Sequence, residues 1–66
     1  MRIVVNGKDQ LVPAGTTVAE LCPLLGVERG RVAVERNQDV VPRQRYDEVV
    51  LVAGDHVEVV AFVGGG

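Results

Sequence analysis

The sequence predicts an α+β domain in which a single helix covers one face of a small β-sheet. Three observations carry that prediction. Arg2 to Val5 is a β-branched run that leads into Asn6-Gly7, the strongest short-range hairpin signal. Thr17 and Glu20 have the spacing of a capping box ahead of a helical apolar stripe. His56 to Val63 is the longest strand candidate and is apolar on both faces, which places it centrally, beside the first strand.

The elements follow in order. In the first strand Ile3 and Val5 share one face and Val4 points to the other, because strand side chains alternate. Lys8 to Val12 returns along it and is closed by Pro13, which has no N–H for a ladder. Ala14-Gly15 is a turn. Val18, Leu21, Cys22 and Leu25 then fall at i, i+3, i+4 and i+7, one stripe of an amphipathic helix, with Gly26 as its stop. Pro23 removes the bond to the Ala19 carbonyl, a defect of about 3 kcal/mol in an ideal helix. A short or kinked helix is therefore expected. Arg31 to Glu35 is a third strand with Val32 and Val34 on one face; Arg36-Asn37-Gln38 turns, and Asp39-Val40-Val41 is a short strand closed by Pro42. Arg43 to Leu51 is charged and irregular, with Tyr46 and Val49 or Leu51 tucked against the core, and Ala53-Gly54-Asp55 turns into the last strand. There Val57, Val59 and Ala61 face one way, and Glu58, Val60 and Phe62 the other. With one helix, the second face of the sheet is left open. Val4, Val60 and Phe62 either form an apolar patch there or lie under a loop.

The bulk properties exclude several functions. Sixty-six residues make one small domain, and 47% hydrophobic content marks it as globular. Seven Lys/Arg against nine Asp/Glu give a formal charge of −2, so no basic excess draws in a phosphate backbone, and nucleic-acid binding is not expected. No apolar run approaches the roughly 20 residues that span a bilayer. With neither a signal-peptide core nor such a run, the chain reads as a cytoplasmic protein with no membrane partner. The sequence has no serine, one histidine and one cysteine, so a Ser/His/Asp triad is impossible. Cys22 lies on the buried stripe and reads as a structural thiol. His56 begins a strand without ligand partners, so no metal site is expected. Arg43 and Arg45 read as solvated charge or as a match for an acidic partner, and Asp47 and Glu48 have no pocket that would make them an acid/base pair. The chain reads as a substrate protein and not as an enzyme.

Its last residues are the most distinctive. Val63-Gly64-Gly65-Gly66 predicts a domain over residues 1–62 followed by a flexible glycine tail over 63–66, ending in an α-carboxylate. Glycines without Cβ atoms suit a narrow channel in another protein.

Taken together, these segments resemble a known family. The Asn6-Gly7 hairpin, Ala14-Gly15-Thr16-Thr17-Val18-Ala19-Glu20-Leu21, Val32-Ala33-Val34-Glu35-Arg36-Asn37, Val40-Val41-Pro42-Arg43 and the stretch from Gly54 to Gly66 resemble the ThiS family, small sulfur carriers of thiamine thiazole biosynthesis. The resemblance covers nearly the whole chain. Pro23 and the third glycine, Gly64, are not features its pattern asks for. The resemblance implies a β-grasp, ubiquitin-like fold. It implies a ThiF-like adenylating enzyme that uses ATP, a cysteine desulfurase relay that supplies persulfide sulfur, and thiazole synthase as acceptor, with no cofactor permanently bound to the carrier. Gly66 would carry the sulfur as a thiocarboxylate. Val63, Gly64 and Gly65 would thread the partner, with the two glycines giving clearance, and Val4, Val60 and Phe62 would dock it. Sister carriers for molybdopterin or tRNA thiolation share this ending, although Val41-Pro42-Arg43 looks more like the thiamine branch. A ubiquitin-like modifier, or an interaction module with inert glycines, also fits the residues.

Overall fold

A computed structural model describes residues 1–62. Strand β1 (Arg2–Val5) turns through Asn6 and Gly7, at φ 50° and 81°, into β2 (Lys8–Leu11). Both turn residues are left-handed, as a type I′ two-residue hairpin requires. Helix α1 (Val18–Leu24) follows, then a 3₁₀ turn at Arg29–Arg31, β3 (Val32–Arg36), β4 (Asp39–Val40), a second 3₁₀ turn at Arg43–Arg45, and β5 (His56–Ala61). The strands form one sheet in the order β2-β1-β5-β3-β4. β5 lies at its centre and beside β1, as expected, parallel to β1 and antiparallel to β3.

Four strand limits differ from the sequence reading. Val12 lies past the end of β2, although its N–H still donates to the Met1 carbonyl at 2.9 Å. Arg31 belongs to the 3₁₀ turn, so β3 starts one residue later and runs to Arg36. Val41 falls outside β4 because Pro42 turns the chain away, though its N–H reaches the Val34 carbonyl. β5 is assigned to Ala61, while the Phe62 N–H still donates to the Arg31 carbonyl at 2.9 Å.

The helix is short, as expected. Its N-terminus carries the full capping box: the Thr17 hydroxyl accepts from the Glu20 N–H at 3.1 Å, and Glu20 Oε1 accepts from the Thr17 N–H at 3.0 Å. Pro23 sits inside the seven-residue helix, and closure follows at once. Gly26, at φ 74°, donates to the Pro23 carbonyl and Val27 to that of Cys22, the paired bonds of a Schellman ending.

The core lies between the helix and one face of the sheet. Ile3, Val5, Val32, Val34 and Val57 enter it from the strands, and Val18, Leu21 and Cys22 from the helix. Tyr46 and Leu51 close it from the long irregular segment, while Val49 is half-buried. The opposite face carries Arg2, Val4, Ala33, Glu35, Val40, His56, Glu58 and Val60 and is open among the described residues. No helix among the described residues is long and apolar enough to cross a membrane.

Candidate functional site at the end of the closing strand

The site is the place where β5 leaves the sheet. Side chains fix the strand at both ends. At its start Asp55 is buried and accepts from the Val52 N–H at 2.9 Å, Arg36 Nε at 2.8 Å and Asn37 Nδ2 at 3.1 Å. Burial works to raise the Asp55 pKa. The hydrogen bonds from Val52, Asn37 and Arg36, with the Arg36 charge, outweigh it and hold the carboxyl below its ordinary value. Asn37 also accepts from the His56 N–H at 2.9 Å, tying the β3–β4 turn to the first residue of β5.

At the far end the fastening comes from Asn6. Backbone pairing of β1 with β5 reaches Val5 opposite Val57, with the Asn6 N–H donating to the Val57 carbonyl at 2.9 Å. Beyond it the Asn6 carboxamide takes over: Nδ2 donates to the Val59 carbonyl at 3.0 Å, and Oδ1 accepts from the Val59 N–H at 2.8 Å. On the other side β3 accompanies β5 through Ala33 opposite Val60 and on to Arg31.

Past this clamp lies an exposed apolar surface. Val60 and Phe62 occupy successive positions on the open face, and each is 59% exposed. Ala33 lies beside Val60, and the Arg43 guanidinium sits over the Phe62 ring, 5.7 Å from its centroid. Such an arrangement is a cation–π contact. The surface is therefore apolar, with one cation, Arg43, over Phe62, and with Glu58 and Glu35 next along the sheet.

The structure brings Val60 and Phe62 together but does not bring Val4 to them. The parallel register sets Val4 opposite His56, so Val60 lies four residues farther along β5, roughly 13 Å at the usual strand rise. Val4 is also half-buried. Val63, Gly64, Gly65 and Gly66 lie outside the described residues. Arg43 is not simply solvated, because it stacks on Phe62; Arg45 pairs with Glu48 at 3.2 Å on the surface. The sequence reading missed Asn6 as a clamp and Arg43 as the cover of Phe62. Only Asn6 left a signal, since a carboxamide offers both a donor and an acceptor where the turn itself needs neither.

Cys22 is buried and its Sγ lies 3.5 Å from the Val18 carbonyl; burial pushes the thiol pKa up, against the opposing charge of Arg29. Among the described residues no cluster of His, Cys, Asp and Glu could hold a metal ion.

A mixed sheet with its first and last strands parallel at the centre and one helix across one face defines a β-grasp, ubiquitin-like domain. The crystal structure of a thiamine biosynthesis protein (ThiS) from Geobacter metallireducens superimposes on it with a TM-score of 0.84 and 36% identity, covering 100% of both chains. The ThiS family model matches residues 1–66, so the chain belongs to the ThiS family. The sulfur carrier protein ThiS of Bacillus subtilis is 42% identical over 62 residues, covering 92% of this chain and 94% of its own. A thiazole synthase of Paramagnetospirillum magneticum is 46% identical over 66 residues, which is 100% of this chain and 20% of that protein. The chain thus spans about a fifth of the length of such synthases.

Proposed function

We propose that this chain is the sulfur carrier of thiamine thiazole biosynthesis, working in the cytoplasm as a substrate of other enzymes and without catalysis of its own. The observation that carries the reading is the family match over residues 1–66, which includes the closing glycines. A ThiF-like adenylating enzyme would bind the Val60–Phe62 surface and receive the tail. The Gly66 carboxylate would attack the α-phosphate of ATP and release pyrophosphate, leaving an acyl-adenylate. The terminal sulfur of a persulfide, from a cysteine desulfurase relay, would attack the acyl carbon and expel AMP. A thiol would then cleave the S–S bond, leaving a C-terminal thiocarboxylate on the carrier and a disulfide on the donor. Thiazole synthase would accept the sulfur. Thiazole synthases that contain a segment similar to this chain support that last partner, because fusion places carrier and acceptor in one molecule.

The chemistry suits the residues. A carboxylate is a poor electrophile until adenylation supplies a leaving group, and glycine puts no side chain in the path of the incoming sulfur. ATP belongs to the activating enzyme, and the carrier keeps no bound cofactor.

The test is ATP–pyrophosphate exchange catalysed by a purified ThiF-type enzyme that acts on the Bacillus subtilis carrier. The full chain should support exchange, and a chain lacking Gly65 and Gly66 should fold but support none. Equal exchange by both would overturn the reading.

A further inference from the structure

We infer that Asn6 is a positioning residue for the C-terminal end of β5: its carboxamide fixes the last point, among the described residues, at which β5 is held from both sides and so sets how Val60 and Phe62 are presented to a partner. The inference rests on the sulfur-carrier reading above and adds to it a residue far from the tail in sequence.

Three observations support it. Backbone pairing of β1 with β5 has ended before Val59, yet Val59 is bound through both its N–H and its carbonyl, at 2.8 and 3.0 Å, by one side chain. The carboxamide therefore stands in for the peptide group that a longer β1 would have presented. The left-handed turn, with Asn6 at φ 50°, would be served by glycine or aspartate as well, so turn geometry alone does not call for a carboxamide. Among the described residues, the backbone bonds to the chain beyond Val59 come from β3 and the residue before it, the last being the Phe62 N–H to the Arg31 carbonyl. The clamp thus lies immediately before Val60 and Phe62, the surface proposed to meet the adenylating enzyme.

Its consequence is kinetic. An enzyme that docks on Val60 and Phe62 binds only the conformers in which the end of β5 presents them correctly, and its apparent affinity falls with their fraction. A clamp that keeps this fraction high lowers KM for the carrier and leaves kcat alone, because the bound state is the same once formed.

The test uses two variants of the full chain. Asn6→Gly keeps the left-handed turn and removes the carboxamide; Asn6→Asp keeps the acceptor for the Val59 N–H and loses the donor to its carbonyl. Amide hydrogen exchange at Val59 should quicken in Asn6→Gly and stay slow in Asn6→Asp. In ATP–pyrophosphate exchange with the ThiF-type enzyme, well below each variant's Tm, KM for Asn6→Gly should rise about 3- to 10-fold with kcat held within about twofold, and Asn6→Asp should fall between. A merely structural role would lower Tm and leave KM unchanged, and that result would overturn the inference. So would unchanged protection of Val59 in Asn6→Gly. Absence of exchange with the wild-type chain would overturn the carrier reading and the positioning role together; normal wild-type exchange beside an unaltered Asn6→Gly KM would overturn the positioning role alone.

Discussion

Replacing Tyr46 with phenylalanine removes one oxygen from the core and leaves the ring in place. Tyr46 is 1% exposed, and its hydroxyl donates to the Val32 carbonyl at 3.2 Å. That carbonyl points to the side of β3 where β4 has already ended; the Val41 N–H serves the Val34 carbonyl, and Pro42 then turns the chain away. The phenol thus completes the ladder where backbone no longer can. Its loss forfeits a neutral hydrogen bond, worth about 0.5–1.5 kcal/mol net, and leaves a buried carbonyl unpaired, which costs about 1–3 kcal/mol by itself. The two overlap, and about 2 kcal/mol is expected. For a domain of this size each kcal/mol moves Tm by about 4–8 °C, so the variant should melt about 8–16 °C lower. The contact between the Arg29 guanidinium and the ring, 5.6 Å from its centroid, survives in phenylalanine and does not confuse the comparison. Thermal unfolding followed by circular dichroism measures the shift. A Tm within about 2 °C of wild type, with the fold intact, would refute the claim that the phenol serves as a ladder bond.

Other consequences follow from the same contacts. The Asp55 pKa is lowered in the folded state below its ordinary value of 3.8. Its network therefore stabilises the fold fully above the unfolded pKa and loses that contribution as pH falls through the folded one. Urea midpoints of wild type and Asp55→Asn should differ most near neutrality and converge below about pH 4; a gap that does not shrink in acid would contradict this. Cys22, buried and with a raised pKa, should resist iodoacetamide in the native protein at neutral pH and react once the chain is unfolded in urea. Rapid native labelling would show that the helix face opens readily. Thr17→Ala removes half of the capping box and should cost about 1 kcal/mol in urea unfolding, an effect that a variant of unchanged stability would deny.

What the sequence made legible is what short-range chemistry dictates. Asn6-Gly7 specified a hairpin, Thr17 and Glu20 the start of the helix, and Gly26 its end, each through neighbours a few residues apart. The central place of β5 could be read because it is the longest apolar strand candidate, although only its inner face is covered and His56, Glu58 and Val60 on the other face are exposed. Alternation assigns faces, however, and says nothing of register. For that reason alternation puts Val4 on the correct face but cannot separate it from Val60, whereas the parallel register sets it beside His56. The contacts between side chains distant in sequence were illegible for a related reason. Asn6 meets Val59 and Tyr46 meets Val32 because strands stop short of their neighbours, a fact of strand length that no local pattern records. Arg43 reaches Phe62 because β4 runs back along β3 and the turn at Pro42 leaves the next residue near the start of β3, where Phe62 lies. The resemblance to the ThiS family drew on the order of the segments as a whole, and the family match over residues 1–66 agrees with it.

The most direct test of the central claim is the intact mass of the chain after incubation with ATP, a ThiF-type adenylating enzyme, a cysteine desulfurase, cysteine and a thiol reductant. The account predicts the mass change of one oxygen exchanged for one sulfur, located on the C-terminal peptide and absent when Gly66 is deleted. An unchanged mass, from enzymes that convert the Bacillus subtilis carrier in parallel, would contradict it.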